Sequence, residues 1–199
     1  PGSAIARFLR ASEDGKNFLI IHIQANAREA GVRTVPGADR IIEAGFCLLD
    51  SKFNFMESGE ITVNPNPDII TSYASALTGI PERKSKRGYY FPGAYDMFLE
   101  MYDSKNTILC SYGSNHLAHF AHEMELFGLE PPDEYGRWLR NALDIESGVA
   151  SAVGVEDTLS IEDAMELLDL DPVGHFHNAG TDALHISMIL SDVFESSVS

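Results

Sequence analysis

Phe18-Leu19-Ile20-Ile21-His22-Ile23 is a nearly unbroken apolar run rich in isoleucine. It is too short for a buried helix and shows no polar alternation, so it fits a central strand covered on both faces. A sheet with helices on each side is what such a strand demands. Side chains alternate along a strand, so His22 and Gln24, two apart, share one face of it.

The rest of the chain supplies partners for that strand. Ile41 to Asp50 and Phe53 to Val63 read as two strands joined through Asp50-Ser51-Lys52 in a hairpin. A polar stretch from Ala25 to Asp39, with Arg28, Gly31, Arg33, Pro36 and Gly37, reads as a loop. A helix is predicted from near Asp68 to Gly79, whose glycine sits where a helix ends. Pro92 to Tyr102 carries apolar residues at helical spacing, and Thr107 to Tyr112 reads as another buried strand. Asn115 to Phe127 reads as a helix closed by Gly128, and Tyr135 to Leu143 also reads as helical. Ala150 to Thr158 matches no pattern. Ser160 caps a helix running to about Leu168, with Glu162 and Asp163 in its first turn. A last helix is predicted from Ala183 to Phe194. Three strands, then helices alternating with a strand, then a run of helices, give an α/β class with a mixed β-sheet flanked by α-helices.

At 199 residues and 44% hydrophobic, the chain supports one well-cored domain. Pro1-Gly2-Ser3 reads as an expression-tag scar, leaving 4–199 as the single domain. No apolar run reaches the roughly 18 to 20 residues of a membrane span. Cys47 and Cys110 both lie in strand-like runs and are expected to be buried free thiols, which fits a reducing, cytoplasmic setting. The net charge is −16. From Glu130 onward fifteen Asp and Glu face only Arg137 and Arg140, a local net of −13. Proteins that grip nucleic acid usually show a basic face, so any such contact here is local and weak. Arg83, Lys84, Lys86 and Arg87 form one cluster, four cations in five residues. It reads either as a solvated loop or as a phosphate-contacting patch. Tyr89, Tyr90 and Phe91 follow it, and core packing is expected of them in preference to base stacking. Trp138 is expected in the core, and His119 and His122 are expected to face solvent.

The chemistry concentrates in His175-Phe176-His177-Asn178-Ala179-Gly180-Thr181-Asp182-Ala183. A carboxylate on the first turns of a helix, with an imidazole on the preceding loop, is a compact acid/base or metal-ligand arrangement. His177-x-Ala179-x-x-Asp182-Ala183 resembles the third motif of the DEDDh 3′→5′ exonucleases of the RNase T-like superfamily. Arg40-Ile41-Ile42-Glu43-Ala44-Gly45 resembles their second strand, and Leu77-Thr78-Gly79-Ile80 their Thr-Gly-Ile segment. Ser111-Tyr112-Gly113 resembles the Ser-Trp-Gly of the branch that trims histone mRNA and small RNAs. Leu159-Ser160-Ile161-Glu162 and Leu167-Leu168-Asp169-Leu170 resemble the segments around the helix before the third motif. The match runs from Asn17 to Phe194.

The resemblance implies an RNase H-like fold, His177 as general base, Asp182 as a metal ligand, and Thr78, Gly79 and Ile80 beside a substrate 3′ end. It also exposes a departure. The family's Asp-x-Glu on the first strand is His22-Ile23-Gln24 here, and the second-motif Asp falls on His116. Two-metal hydrolysis sets two ions about 3.5 to 4 Å apart, held largely by carboxylates. Asp182 is the one carboxylate left, so a Mg²⁺ pair is not expected. Imidazole suits Zn²⁺, Ni²⁺ or a similar transition ion instead. His22 and His116 therefore have two readings: spacers that hydrogen-bond Asp182, or part of a site with Gln24 and Asp182 that takes Zn, Mn or Ni. The expected function is a degenerate exonuclease-like domain, without Mg-dependent nuclease activity, that binds single-stranded RNA or DNA weakly or docks a protein partner. The alternative is a 3′→5′ exonuclease or phosphodiesterase using a transition metal.

Overall fold

The computed structural model describes residues 2–29, 39–133 and 136–195. Five strands form one sheet in the order β3-β2-β1-β4-β5. They are β1 (Asn17–Ala25), β2 (Ile41–Leu49), β3 (Phe55–Thr62), β4 (Thr107–Ser111) and β5 (Leu143–Asp144). β1 is central: it runs antiparallel to β2 and parallel to β4. β2 pairs antiparallel with β3, and β4 parallel with β5. The mixed sheet and the hairpin therefore stand as predicted, with the turn at Asp50–Asn54 fixed by the Asp50 carboxylate, which accepts from Lys52 N and Asn54 N.

β1 divides the interior into two cores by alternation. Phe18 and Ile20 enter a core shared with α1 (Gly2–Glu13), α7 (Ile145–Val153), α8 (Ile161–Leu167) and α9 (Ala179–Glu195). Leu19, Ile21 and Ile23 enter the opposite one, with α4 (Phe91–Met101) and α5 (Asn115–Phe127). His22 and Gln24 have the parity of Phe18 and Ile20, so they point at the α9 side. Trp138, on the short helix α6 (Arg137–Arg140), lies in the second core, and Cys47 and Cys110 are buried free thiols, as expected.

Helix α9 lies almost on the sheet. A Cβ on Gly45 would overlap the Ala179 carbonyl and come within 2.5 Å of Gly180 N, so glycine at 45 is what lets the helix start there. Its N-terminus is closed by Asn178, whose Oδ1 accepts from Thr181 N at 2.8 Å. Ala183, Ile186, Ile189 and Leu190 give it a fully buried stripe.

Several elements differ from expectation. The helix predicted from Asp68 starts only at Ser72 as α2 (Ser72–Thr78), because Thr71 is its cap and accepts from Ala74 N. The Tyr135 to Leu143 helix shrinks to α6; Tyr135 itself lies outside the described residues, and Leu143 pairs with Cys110 as strand. Part of the stretch left unassigned belongs to α7, capped by Asp144 and ended by Gly154 in the left-handed region. α1 had no sequence counterpart; Phe8 stacks on Phe194 beneath it. Of the predicted loop, 30–38 lie outside the described residues. Among the described residues no helix is long and apolar enough to cross a membrane.

Candidate functional site

The carboxyl-terminal half of β1, the start of α5 and the start of α9 converge on Asp182. This residue is 3% exposed, in the first turn of α9, where the helix dipole favours its charge. Its Oδ2 accepts from His177 N at 3.1 Å and Gln24 Nε2 at 3.2 Å, and His22 Nε2 lies 3.3 Å from it and 3.4 Å from Gln24 Nε2. Its Oδ1 is buried without a hydrogen bond, and the nearest cation-forming group is His185 Nδ1 at 3.9 Å. His185 Nε2 lies 3.0 Å from Val173 N. The same Nε2 lies 2.9 Å from Val173 O, so the Val173 backbone offers it both a donor and an acceptor, and Nδ1 has no hydrogen-bond partner. Burial pushes the His185 pKa down, against the Val173 hydrogen bond and the Asp182 charge. The sequence carried no signal for His185, which reads there as one more residue of an apolar helix.

His116 occupies the start of α5, after Gly113 breaks β4. Its ring lies 4.2 Å from that of His22, centroid to centroid. Its Nδ1 accepts from Ile23 N at 3.0 Å. Burial, and then the neighbouring His22, push its pKa down to about 3. The ring is therefore neutral, with its hydrogen on Nε2 and its one lone pair already engaged. The structure thus brings together four of the five residues singled out by sequence: His22, Gln24, His116 and Asp182. Of His177 it brings the backbone N–H; the residue sits at φ 65° and is exposed. His119 is half-buried beside Asp39 O, at 3.0 Å, and His122 is half-buried too, so neither is the fully exposed residue expected.

A second polar cluster borders this one. Glu43 pairs across the sheet with Gln24 and is fully buried. Its Oε2 accepts from Ala179 N at 3.0 Å and Asn178 Nδ2 at 3.3 Å, and its Oε1 meets Lys84 Nζ at 3.1 Å. Glu60 shares both partners, Asn178 at 2.7 Å and Lys84 at 3.4 Å. Burial raises the Glu43 pKa, Ala179 N–H opposes it, the Glu60 charge adds to it and Lys84 opposes it.

The cation cluster is thereby split in two. It lies on α3 (Glu82–Ser85) and the turn after it. Lys84 is spent on Glu43 and Glu60, and Lys86 on Glu82 at 2.5 Å. Arg83 and Arg87 remain exposed, and among the described residues neither pairs with a carboxylate. Core packing fails for two of the three aromatics: Phe91 is buried, but Tyr89 and Tyr90 are each 57% exposed. Thr78, Gly79 and Ile80 end α2. Thr78 Oγ1 donates to Ala74 O, Gly79 takes φ 69°, and Ile80 packs inside against Ile42, Ile70 and Ala74. The fold also gathers a second cationic group, unforeseen from sequence, in which Arg7, Arg10 and Lys16 line a cleft of about 480 Å³.

No family sequence model and no curated protein sequence matches the chain. Solved structures do. The nuclease domain of 3′hExo, a DEDDh family member, bound to rAMP, superposes with a TM-score of 0.77 at 20% identity, over 92% of this chain and 93% of that one. The fold is that of the DEDDh exonucleases. A 3′-exonuclease in 3′-end specific recognition of the histone mRNA stem-loop gives 0.78 at 17% identity, over 92% of this chain and 64% of its own. Exonuclease I of E. coli in complex with a dT13 oligonucleotide gives 0.68 at 14% identity, over 88% and 40%. This chain thus spans under two thirds of the latter two.

The DEDDh resemblance implies divalent metal, for which the residues around Asp182 are poorly matched. Mg²⁺ needs hard oxygen donors, largely carboxylates, and the pocket offers one, whose Oδ2 already accepts two N–H groups and whose Oδ1 alone is unengaged. A transition ion would need the His116 lone pair that Ile23 N–H holds. Among the described residues no group of three His, Cys, Asp or Glu is arranged to hold a metal. The donor set does not fit a Mg²⁺ pair.

Proposed function

We propose that this exonuclease-fold domain does not hydrolyse phosphodiesters and serves as a binding module for single-stranded nucleic acid. The observation that carries this reading is the donor set itself: Asp182 is the one carboxylate among His22, Gln24, His116 and His177, and its Oδ2 already accepts from His177 N and Gln24 Nε2. Half of that carboxylate is thus engaged by protein N–H groups, while Oδ1 alone stays without a hydrogen bond. The ligand class is supported by the structural neighbours, one bound to rAMP and one to dT13. The acidity of the chain makes the binding weak and local. A His22, His116, Asp182 enzyme using Zn²⁺ or Ni²⁺ is disfavoured because liganding through His116 would break its bond with Ile23 N.

The test is a time course with end-labelled single-stranded RNA and DNA in Mg²⁺ or Mn²⁺, repeated in Zn²⁺ and Ni²⁺. The oligonucleotides should stay full length. Shortening that disappears in Asp182→Ala would overturn the proposal.

A further inference from the structure

Of the four cations between positions 83 and 87, the two without a carboxylate partner among the described residues, Arg83 and Arg87, stand together outside the Asp182 pocket. Arg83 lies on α3 and Arg87 in the turn that follows it. Both line a cleft of about 610 Å³ with Glu60, Thr62, Tyr89 and Met97. None of His22, Gln24, His116, His177 or Asp182 lines it. The Lys84 bridges to Glu43 and Glu60 connect its inner wall to the Asn178 cap of α9.

The cleft is held in shape before any ligand arrives. Tyr89 N donates to Thr62 O at 3.0 Å, and Asn64 N donates to Tyr89 O at 2.8 Å, which pins the turn to the outer edge of β3. Asn64 Nδ2 donates to Lys86 O at 3.1 Å. A Cβ on Gly88 would lie 2.6 Å from Thr62 O, so the approach is as close as glycine permits. The Tyr89 ring has Gly93 of α4 against one side, and the residue is still 57% exposed.

We infer that this cleft is a binding site for a nucleotide segment of a single strand, with phosphates on Arg83 and Arg87 and a base stacked on Tyr89. The guanidinium fork suits phosphate oxygens two at a time, which an ammonium does not. An exposed tyrosine accepts any base on its π-face, so recognition would tolerate sequence. The alternative cationic cleft is less suited. Arg7 is tied to Asn141 O and Ala142 O, Lys16 to Lys105 O, and no aromatic residue lines it. The inference rests on the reading of the domain as a binding module, but not on its lack of hydrolysis.

Fluorescence anisotropy of labelled oligo(dT) and oligo(U), about ten nucleotides long and in EDTA, separates the two ideas, since no metal-dependent cleavage can occur. Two phosphate contacts on a single strand give a slope of log K against log salt near −1.4, or about a sevenfold loss between 50 and 200 mM. The Arg83→Ala/Arg87→Ala variant should flatten that slope and weaken binding at least about tenfold. Tyr89→Ala should weaken binding about fivefold or more and leave the slope alone. Arg7→Ala/Arg10→Ala removes the same charge elsewhere and should stay within about twofold of the parent. Urea midpoints of all variants check folding. Equal losses in the two arginine pairs, unchanged affinity in the first pair, or no binding by the parent would each overturn the site.

Discussion

Replacing His22→Asp, Gln24→Glu and His116→Asp together sets three carboxylates beside Asp182, at the positions that the resemblance to the DEDDh motifs would assign to metal ligands. Without metal this should cost stability. Two unit charges about 4 Å apart repel by about 4 kcal/mol at an effective dielectric of 20, and proton uptake relieves part of it. Crowding raises the folded-state carboxyl pKa values above their unfolded ones. The variant should therefore be close to the parent in acid and lose stability as pH rises through those raised values. Asp at 116 can still accept from Ile23 N, so the α5 start should hold. Metal binding only the native state then restores stability. At a concentration 100 times its dissociation constant it contributes about 2.7 kcal/mol. For a domain of this size that is a rise of roughly 5 to 11 °C in Tm. The assay is a thermal melt at neutral pH with Mg²⁺ or Mn²⁺ from zero to 10 mM. Melts of the triple variant that ignore both ions would refute the placement of these three residues.

Gly45→Ala would force α9 off the sheet at Ala179 and should destabilise by about 3 kcal/mol or more, the upper range for overpacking; a urea midpoint within about 0.5 kcal/mol of the parent contradicts the close approach. Lys84→Met removes the cation from a buried carboxylate, and since Lys84 is itself 43% exposed the cost should be about 1 to 2 kcal/mol. Glu43 already has a raised pKa, so its stability contribution is full in acid and falls as pH rises through the folded value; losing Lys84 enlarges that fall. Urea unfolding should thus separate parent and variant at pH 7 and not at pH 4. His116, with its pKa pushed down to about 3, should show flat imidazole shifts by NMR between pH 5 and 8; its neutrality stabilises the fold above about pH 6.5 and opposes it progressively below.

Much of this fold was legible because it rests on periodicity. The apolar run at 18–23 marked the central strand, and simple alternation put His22 and Gln24 on one face, where Asp182 meets them. The departure from the DEDDh pattern was legible for the same reason, since it consists of residue types at aligned positions. What sequence hid was pairing across distance. Lys84 looked like one of four equivalent cations until Glu43, 41 residues away, was found against it. The opposite error befell Arg7, Arg10 and Lys16, which look scattered in sequence and become a cleft only when α1 packs beside β5. α7 was masked because Asp144 both ends β5 and caps the helix, leaving no loop between them. Tyr89 looked like core because Phe91 follows it, yet the turn pinned to β3 leaves its side chain outside.

Asp182, with its Oδ2 held by His177 N and Gln24, stands without the further carboxylates that a metal pair needs. Calorimetric titration of the parent with Mn²⁺ at neutral pH, alongside Asp182→Asn, tests this most directly. The account predicts no saturable binding at millimolar concentrations in either protein. Saturable uptake of a pair of Mn²⁺ ions by the parent, lost in Asp182→Asn, would contradict it.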